Sequence, residues 1–520
     1  MTFKHASSLI SVLALILGAA GCSKPTMLTT VVEVTGGTIE GVDQDGIFSF
    51  KGVPFAAPPV GALRWKSPQP VVPWEGVKKA DKFAPGPMQD TAFGAMLGGP
   101  QKISEDCLYL NVWTGAKQAD EKRPVMVWIY GGGFGIGMTS TPTYDGTNLA
   151  KKGVVLVSVA YRVGPMGFLA HPELSAESGQ GSGCYGIQDQ IAGLRWVKEN
   201  IANFGGDPSN VTIFGESAGG ISVSMLSASP MAKGLFQRAI SESGGSMAAP
   251  RSSLKQAEEQ GKAYLSKLGA DTIKAARALS AEEVQKNTQG MGGFWPVADG
   301  VTIAKNQYEL FEKGEFNDTP ILVGTNSDEG GLFVNQPITS ADFVKMMRGR
   351  FGDSADALLA VYPHTTDKEA LRSEKDIFRD STFAWPTWAW ATLQSRNGKN
   401  KAFVYYFDHR TPNSPEGANH ASEISYVFGN LTSKGPLGAG SDTPEDRALS
   451  ELIQSYWINF ATSGDPNGEG LPKWPAFDEK EQMVMFINKD TGARKQPNLD
   501  KIMAFDAYYA KLRGEAKEGR

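Results

Sequence analysis

The sequence predicts an α/β fold in which helices cover both faces of a mostly parallel β-sheet. Several short segments are apolar throughout, as strands are when both faces of their sheet are buried. Segments with apolar residues at helical spacing lie between them, the order typical of repeated strand–helix units. One apolar segment also runs directly into a serine flanked by glycines, which indicates a tight strand-to-helix turn.

The elements follow one another along most of the chain. Strands of the main sheet are predicted at 124–130, 154–161, 211–214, 238–241, 321–324 and 402–407. Apolar side chains at helical spacing predict a helix at 188–203, and charged amphipathic segments over 254–289 predict helical insertions above the active-site end of the sheet. The charged end of the chain after Leu512 is expected to be loose.

Composition bounds the class of protein. The chain has 520 residues, of which 41% are hydrophobic and 21% charged, as in ordinary globular proteins. One α/β domain can keep a single sheet over such a length, so one domain is predicted over 31–512. The formal net charge of −5 and the absence of a basic cluster argue against nucleic acid as a partner.

The N-terminus is predicted to be a signal peptide over residues 1–21. Lys4 and His5 precede an apolar run at 9–17 that is too short to span a bilayer. Small residues then lead to Cys22, and this segment resembles a bacterial lipobox. Cys22 is therefore predicted to be the first mature residue and to carry a lipid that tethers the protein to a membrane. The predicted location is the periplasm or a membrane-anchored lipoprotein, with plain cleavage and secretion as the alternative.

Besides Cys22, the predicted mature chain contains two cysteines, Cys107 and Cys184. Two cysteines do not make a disulfide framework, and the sequence leaves their pairing open. Neither has metal-ligand spacing to a histidine, so no metal site is predicted.

The stretch from 210 to 221 organises the rest of the prediction. It contains Gly215-Glu216-Ser217-Ala218-Gly219, which fits the G-x-S-x-G pattern of a nucleophile elbow. Ser217 would stand at the apex of the turn, and the N–H of Ala218 would face a developing negative charge. A glycine-rich turn that merely contains a serine is the alternative.

An elbow serine needs a base, an acid and oxyanion donors. Among five histidines, His420 fits the expected order of serine, acid, histidine best, and His409 is second. Glu329 and Asp328 both follow a predicted strand and are both admissible as the acid. Three glycines at 131–133 follow another strand and predict an oxyanion-hole loop. This loop fails the phosphate-binding patterns, so nucleotide binding is not expected.

Long segments of the chain, over about 31–478, resemble the type B carboxylesterases, the branch of the α/β-hydrolases that includes the cholinesterases and bacterial para-nitrobenzyl-esterase-like proteins. The matching segments include GVPFAAPPVGALRWKSPQP, SEDCLYLNV, VMVWIYGGGF, GESAGG, GTNSDEGGLF and HASEISYVFG. The resemblance implies an α/β-hydrolase fold, hydrolysis of small-molecule carboxylic esters, and no cofactor. It implies a triad of Ser217, Glu329 and His420, oxyanion donors from Gly132, Gly133 and Ala218, and near-site roles for Glu216 and Ser243.

Two departures from the family pattern bear on the pairing of Cys107 and on the expected substrates. Pro87 stands where many members have the cysteine that pairs with the one in SEDCLYLN, so Cys107 lacks that partner. The segment 90–103 has Phe93 and Met96 but no tryptophan to contact a quaternary ammonium group, so choline esters are not the expected substrates. A specialist on bulky aromatic, polyester, carbamate or natural-product esters is the alternative enzyme, and a non-catalytic binding protein is the alternative outside enzymes.

Overall fold

The computed structural model describes residues 27–90, 102–248, 252–286, 288, 293–433 and 441–518. The predicted signal peptide, Cys22, Phe93 and Met96 lie outside the described residues. Within this part of the chain, no helix combines the length and the apolar character needed to cross a membrane.

An eleven-stranded sheet forms the centre of the molecule. Its strands in chain order are β3 (Val42–Gln44), β4 (Ile47–Pro54), β8 (Tyr109–Thr114), β9 (Arg123–Ile129), β10 (Val155–Val159), β11 (Gly206–Glu216), β12 (Arg238–Glu242), β13 (Ile321–Asn326), β14 (Ala402–Phe407), β15 (Met483–Ile487) and β16 (Gly492–Lys495). Across the sheet the order is β16-β15-β14-β13-β12-β11-β9-β10-β8-β4-β3. Pairing is parallel from β10 to β15 and antiparallel at both edges.

The remaining strands are short. They are β1 (Val31–Val34), β2 (Gly37–Glu40), β5 (Val77–Lys79), β6 (Gly86–Pro87) and β7 (Ile103–Ser104). The first three form a separate small sheet, and the last two pair with each other.

Helices pack against the sheet and over the carboxyl ends of its strands. In the described residues they are α1 (Thr147–Lys151), α2 (Gly164–Phe168), α3 (Pro172–Ser178), α4 (Tyr185–Asn200), α5 (Ala218–Ala228), α6 (Leu254–Lys267), α7 (Ile273–Ala278), α8 (Ala281–Gln285), α9 (Gln307–Glu312), α10 (Ser340–Phe351), α11 (Ala355–Leu359), α12 (Asp367–Arg379), α13 (Trp385–Asn397), α14 (Ile424–Phe428), α15 (Pro444–Ser463) and α16 (Leu499–Glu518). The predicted α/β class with a mostly parallel sheet is confirmed.

The parallel strands bring distant parts of the chain to one edge of the sheet. Their carboxyl ends all point the same way, and the segments that follow them therefore meet. The glycine loop follows β9, the elbow serine follows β11, the acidic loop follows β13, and both candidate histidines follow β14.

The end of the chain differs from the prediction. The segment after Leu512 was expected to be loose, whereas α16 continues to Glu518. Ile502 and Phe505 are fully buried on this helix, and the ring of Tyr509 stacks on Trp385 with centroids 4.1 Å apart. Packing of this apolar face holds the helix, and the alanine, lysine and glutamate that follow are good helix formers, so the helix extends.

Candidate active site

Ser217 occupies a sharp turn between β11 and α5. Its backbone has φ 55° and ψ −122°, a conformation that residues with a side chain rarely adopt. The Ser217 N–H donates to the carbonyl of Glu242 at 2.9 Å, and its own carbonyl accepts from the N–H of Ile221 at 2.8 Å. The strained residue is thus held by hydrogen bonds to β12 and to the first turn of α5, and such strain is typical of functional positions.

The glycines of the elbow are required by close approach of backbone atoms. A Cβ on Gly215 would lie 2.5 Å from the carbonyl oxygen of Ile129, at the end of β9. A Cβ on Gly219 would overlap the same oxygen. Glycine at both ends of the turn therefore lets β9 approach the elbow.

The glycine loop after β9 lies against this turn. A Cβ on Gly131 would be 3.0 Å from the Cβ of Ser217 and 2.7 Å from the carbonyl oxygen of Glu216. Gly132 and Gly133 have φ values of +109° and +59°, which glycine adopts without cost. Within the described residues the N–H groups of Gly132 and Gly133 donate no hydrogen bond, and the N–H of Ala218, first in α5, lacks a helical partner. These donors remain available for an anion.

His420 and Glu329 are in direct contact. Nδ1 of His420 lies 2.5 Å from Oε2 of Glu329, and both residues are buried. The other carboxylate oxygen of Glu329 accepts from the hydroxyl of Ser243 at 2.5 Å and from the N–H of Asn326 at 2.8 Å. Every contact of this carboxylate therefore favours one fixed orientation, which in turn orients the imidazole.

Aromatic rings fix the histidine from its faces. Phe383 stacks on His420 with ring centroids 4.6 Å apart, and Phe333 lies tilted at 5.2 Å. Phe383 belongs to a π-helical segment, Asp380–Ala384, between α12 and α13. Segments of this kind occur frequently at functional sites.

The loops that carry the acid and the histidine are tied to each other. The side-chain amide of Asn326 donates to the carbonyl of Asn419 at 2.8 Å. The N–H of Asp328 donates to the carbonyl of Ala418, also at 2.8 Å. These bonds hold together two loops that are about ninety residues apart in the chain.

The alternative acid and base have other partners. The carboxylate of Asp328 pairs with Arg372 at 2.7 Å. His409 is buried, but its Nε2 lies 2.8 Å from the carboxylate of Asp446. Neither residue joins the cluster around Ser217, whereas Glu329 and His420 do.

The second ring nitrogen of His420 faces Glu216, the residue directly before Ser217. Nε2 lies 3.0 Å from Oε1 of Glu216. That oxygen has no hydrogen-bond partner of suitable geometry within the described residues. The Ser217 hydroxyl makes no hydrogen bond within the described residues, so the structure places the His420 ring next to the residue before Ser217 without a hydrogen bond to Ser217 itself.

Buried charges set the electrostatics of the cluster. Burial by itself disfavours the imidazolium of His420, but the carboxylates of Glu216 and Glu329 outweigh it and raise the pKa of His420 well above its ordinary value. Burial likewise raises the pKa of Glu216, against the opposing effect of His420. The site therefore holds more acidic groups than a three-residue triad needs.

Two of these groups were not predicted from the sequence. Burial raises the pKa of Glu242 to about 8, and its Oε1 accepts from the indole N–H of Trp457 at 2.8 Å. Glu423 is also buried; burial and the neighbouring glutamates raise its pKa, and one oxygen accepts from the amide of Asn326 at 2.5 Å. An acidic residue at the end of an apolar strand, as Glu242 is in β12, was the available signal.

Both cysteines are free and buried. Burial raises the pKa of the Cys107 thiol and of the Cys184 thiol, so neither is a ready nucleophile. The Cys184 thiol lies 2.9 Å from the carbonyl of Val297. The predicted absence of the usual partner of Cys107 agrees with its free state.

Comparison with known proteins identifies the family. The model of the carboxylesterase family matches residues 28–504 of this chain. The chain belongs to this family. This carboxylesterase is accordingly a carboxylic ester hydrolase of type B, and the resemblance seen in the sequence is confirmed.

Individual relatives span nearly the whole chain. This chain is 37% identical to a fumonisin B1 esterase of Sphingopyxis macrogoltabida, over 86% of this chain and 85% of that protein. It is 35% identical to a para-nitrobenzyl esterase of Bacillus subtilis, over 91% and 98% of the two chains.

Solved structures show the same fold. A PNB esterase structure superposes with a TM-score of 0.81 at 34% identity, covering 91% of this chain and 99% of the other. A carboxylesterase of Geobacillus stearothermophilus gives 0.81 at 33% identity, with coverage of 92% and 100%. The predicted α/β-hydrolase fold is confirmed.

Proposed function

We propose that this carboxylesterase cleaves its esters with Ser217 as nucleophile, His420 as general base and Glu329 as the acid that orients the base. The observation that carries the proposal is the position of His420. Its Nδ1 is held by Glu329 at 2.5 Å, while Nε2 points to the residue next to Ser217. This arrangement leaves Nε2 as the nitrogen that can exchange a proton with the serine.

The proposed reaction runs in two halves. His420 takes the proton of Ser217 as its oxygen attacks the ester carbonyl, and then gives that proton to the leaving alcohol, which produces an acyl-enzyme. Water, activated by the same imidazole, attacks the acyl-enzyme and releases the acid and the free serine. For this transfer Nε2 must turn from Glu216 toward Ser217, and such hydrogen bonds often tighten only with substrate bound.

The N–H groups of Gly132, Gly133 and Ala218 are proposed to receive the oxyanion. Support comes from their unbonded state and from the approach of the glycine loop to Ser217. Loss of one such donor costs about 3–4 kcal/mol of transition-state stabilisation in enzymes of this kind. Glu216 and Ser243 are proposed to act on the triad from its two sides, Glu216 through His420 and Ser243 through Glu329.

The substrates proposed are small-molecule carboxylic esters. One relative of this chain is named as a para-nitrobenzyl esterase and another as a fumonisin B1 esterase, which supports esters as the substrates. Among the described residues, no contact of the proposed triad favours a specialist preference for bulky esters. A non-catalytic binding role is not favoured either, because Ser217, Glu329 and His420 are all present.

The test is hydrolysis of p-nitrophenyl acetate by the parent and by Ser217→Ala. We expect turnover to fall to the background level in the variant, with the fold unchanged by circular dichroism. Ser178→Ala, an exposed serine on α3, is the matched control and should keep full activity. Equal turnover by Ser217→Ala and the parent would refute the assignment.

We propose also that the protein is exported and that Cys22 carries a lipid. The support is the sequence alone: a short apolar run followed by small residues before the cysteine. Labelling of cells with a radioactive fatty acid should mark the parent but not Cys22→Ala. Label that persists in the variant would contradict lipidation.

A further inference from the structure

A cavity of about 250 Å³ begins beside the proposed catalytic residues. Its wall includes Ile221, one helical turn after Ser217, and Gly245, two residues after the serine that contacts Glu329. Thr382 also lines it and directly precedes Phe383, which stacks on His420. The cavity is therefore the space into which one end of a bound ester would extend.

The cavity also reaches the oxyanion side of the site. Trp295 lines it and contacts Phe134 edge-to-face, with ring centroids 5.1 Å apart. Phe134 directly follows Gly133 of the glycine loop. An ester carbonyl held against that loop would consequently place one of its two substituents along this wall.

The charges of the lining are all of one sign. Lys305 and Arg350 are the charged residues among the described residues that line the cavity, and neither aspartate nor glutamate is among them. Within the described part of the chain, no carboxylate lies within 4.0 Å of either cation, so neither is neutralised by an ion pair.

Arg350 is directed at the wall of the cavity. Its guanidinium donates to the hydroxyl of Ser381, another lining residue, at 3.4 Å. Arg350 interacts electrostatically with Glu374 on α12. Burial raises the pKa of the Glu374 carboxyl, and the positive charge of Arg350 opposes that rise. Glu374 does not line the cavity, so the positive charge of Arg350 remains available to a ligand there.

The surroundings suit a carboxylate. Apolar side chains such as Met225 and Val297 form part of the wall, while Lys305 and Arg350 are themselves exposed. Ser246 and Gln307 add hydrogen-bonding groups. A guanidinium and an ammonium group on such a wall are the partners that a carboxylate prefers, with arginine able to bind both oxygens.

We propose that this carboxylesterase prefers esters that carry a free carboxylate on the part of the molecule lying in the cavity, such as half-esters of dicarboxylic acids or esters of hydroxy acids. Lys305 and Arg350 are the residues that select them. The proposal rests on the proposed function, because it names the substrate class of that same site.

The proposed contacts with the substrate carboxylate should affect KM rather than kcat. The carboxylate would bind the two cations equally in the ground state and in the transition state, since it takes no part in bond breaking. Such uniform binding lowers KM and leaves kcat unchanged. Screening by salt should weaken it.

The experiment compares matched substrates that differ in one charge. 4-Nitrophenyl hemiglutarate is paired with 4-nitrophenyl pentanoate to test the acid side. 4-Acetoxybenzoate is paired with 4-methylphenyl acetate to test the alcohol side. The parent should show a lower KM for the charged member of one pair, and that pair identifies the side of the ester in the cavity.

The double variant Lys305→Gln/Arg350→Gln should raise KM for that charged ester roughly tenfold, as expected for two solvent-accessible ion pairs, and change KM for its neutral partner less than about twofold. Added salt should narrow the parent's preference. Arg348→Gln is the matched control, because Arg348 lies on the same helix, is exposed and does not line the cavity.

The outcomes separate the two proposals. Equal KM changes for the charged and neutral members of both pairs, or equal effects of Arg348→Gln, would overturn the carboxylate preference while leaving ester hydrolysis intact. If the parent hydrolysed none of the four esters, the proposed function itself would be overturned.

Discussion

Two buried histidines follow β14, and each contacts a carboxylate. His420 lies 2.5 Å from Glu329 and His409 lies 2.8 Å from Asp446. Both imidazoles are less than one-tenth exposed. By burial and partner alone, the two pairs are nearly equivalent.

The nitrogen that meets the carboxylate distinguishes them. His420 contacts Glu329 through Nδ1, and its Nε2 lies 3.0 Å from Glu216, the residue before Ser217. His409 contacts Asp446 through Nε2, at a helix terminus away from the elbow. A triad base must keep Nε2 for the nucleophile. The difference supports His420 as the proposed base, because its Nε2 faces the elbow whereas the Nε2 of His409 faces a helix terminus.

The carboxylates differ in what else they hold. Asp446 accepts from Tyr426, Ser441 and Thr443, and it forms a capping box with Thr443 at the start of α15. Its hydrogen bonds therefore fix a helix terminus and a loop. Glu329 accepts from the Ser243 hydroxyl and from the Asn326 N–H, and these bonds fix the orientation of its carboxylate.

The largest effect expected comes from the two histidines. His420→Gln should lower kcat by a factor on the order of 10⁴–10⁶, because an amide cannot accept the serine proton. His409→Gln should leave kcat within about threefold, since a structural change far from the reacting atoms acts mainly on stability. Steady-state kinetics on p-nitrophenyl acetate measure both, and similar losses in the two variants would contradict the comparison.

The next largest effect should distinguish the carboxylate of Glu329 from that of Asp446. Glu329→Gln should lower kcat about 10⁴-fold, because the amide would favour the wrong tautomer of His420. Asp446→Asn should leave kcat nearly unchanged but lower the free energy of unfolding by about 2–4 kcal/mol, through loss of a helix cap and of charge-assisted hydrogen bonds.

Urea unfolding followed by fluorescence measures the stability of both variants. A large loss of kcat in folded Asp446→Asn would show that the second pair takes part in catalysis.

The smallest effect expected is a shift in pH dependence. Glu216 raises the pKa of His420, and the base acts only when neutral, so the parent should lose kcat/KM as pH falls through a pKa above the ordinary value for histidine. Glu216→Gln removes one negative charge and should move this acidic limb to lower pH. Profiles of kcat/KM measure the limb, and His409→Gln, which leaves Glu216 in place, should not move it.

Much of this molecule was predictable from local patterns. The predicted strands at 211–214, 321–324 and 402–407 lie within β11, β13 and β14, because continuous β-branched and aromatic runs have few other stable arrangements. The helices of the 254–289 insertion also form as predicted. The helical structure after Leu512 was not predicted, because α16 is held by the packing of its earlier turns, such as Tyr509 on Trp385, which the charged tail alone does not reveal.

The sequence by itself determined the elbow and the glycine loop. Both depend on backbone conformation, and glycine is needed wherever a Cβ would overlap a neighbouring strand. Only the tertiary structure decided which histidine meets which acid, that Glu242 and Glu423 are buried near the proposed triad, and that two cations line the cavity. Those facts depend on distances between segments far apart in the chain, which are set by the packing of the whole sheet rather than by neighbours in sequence.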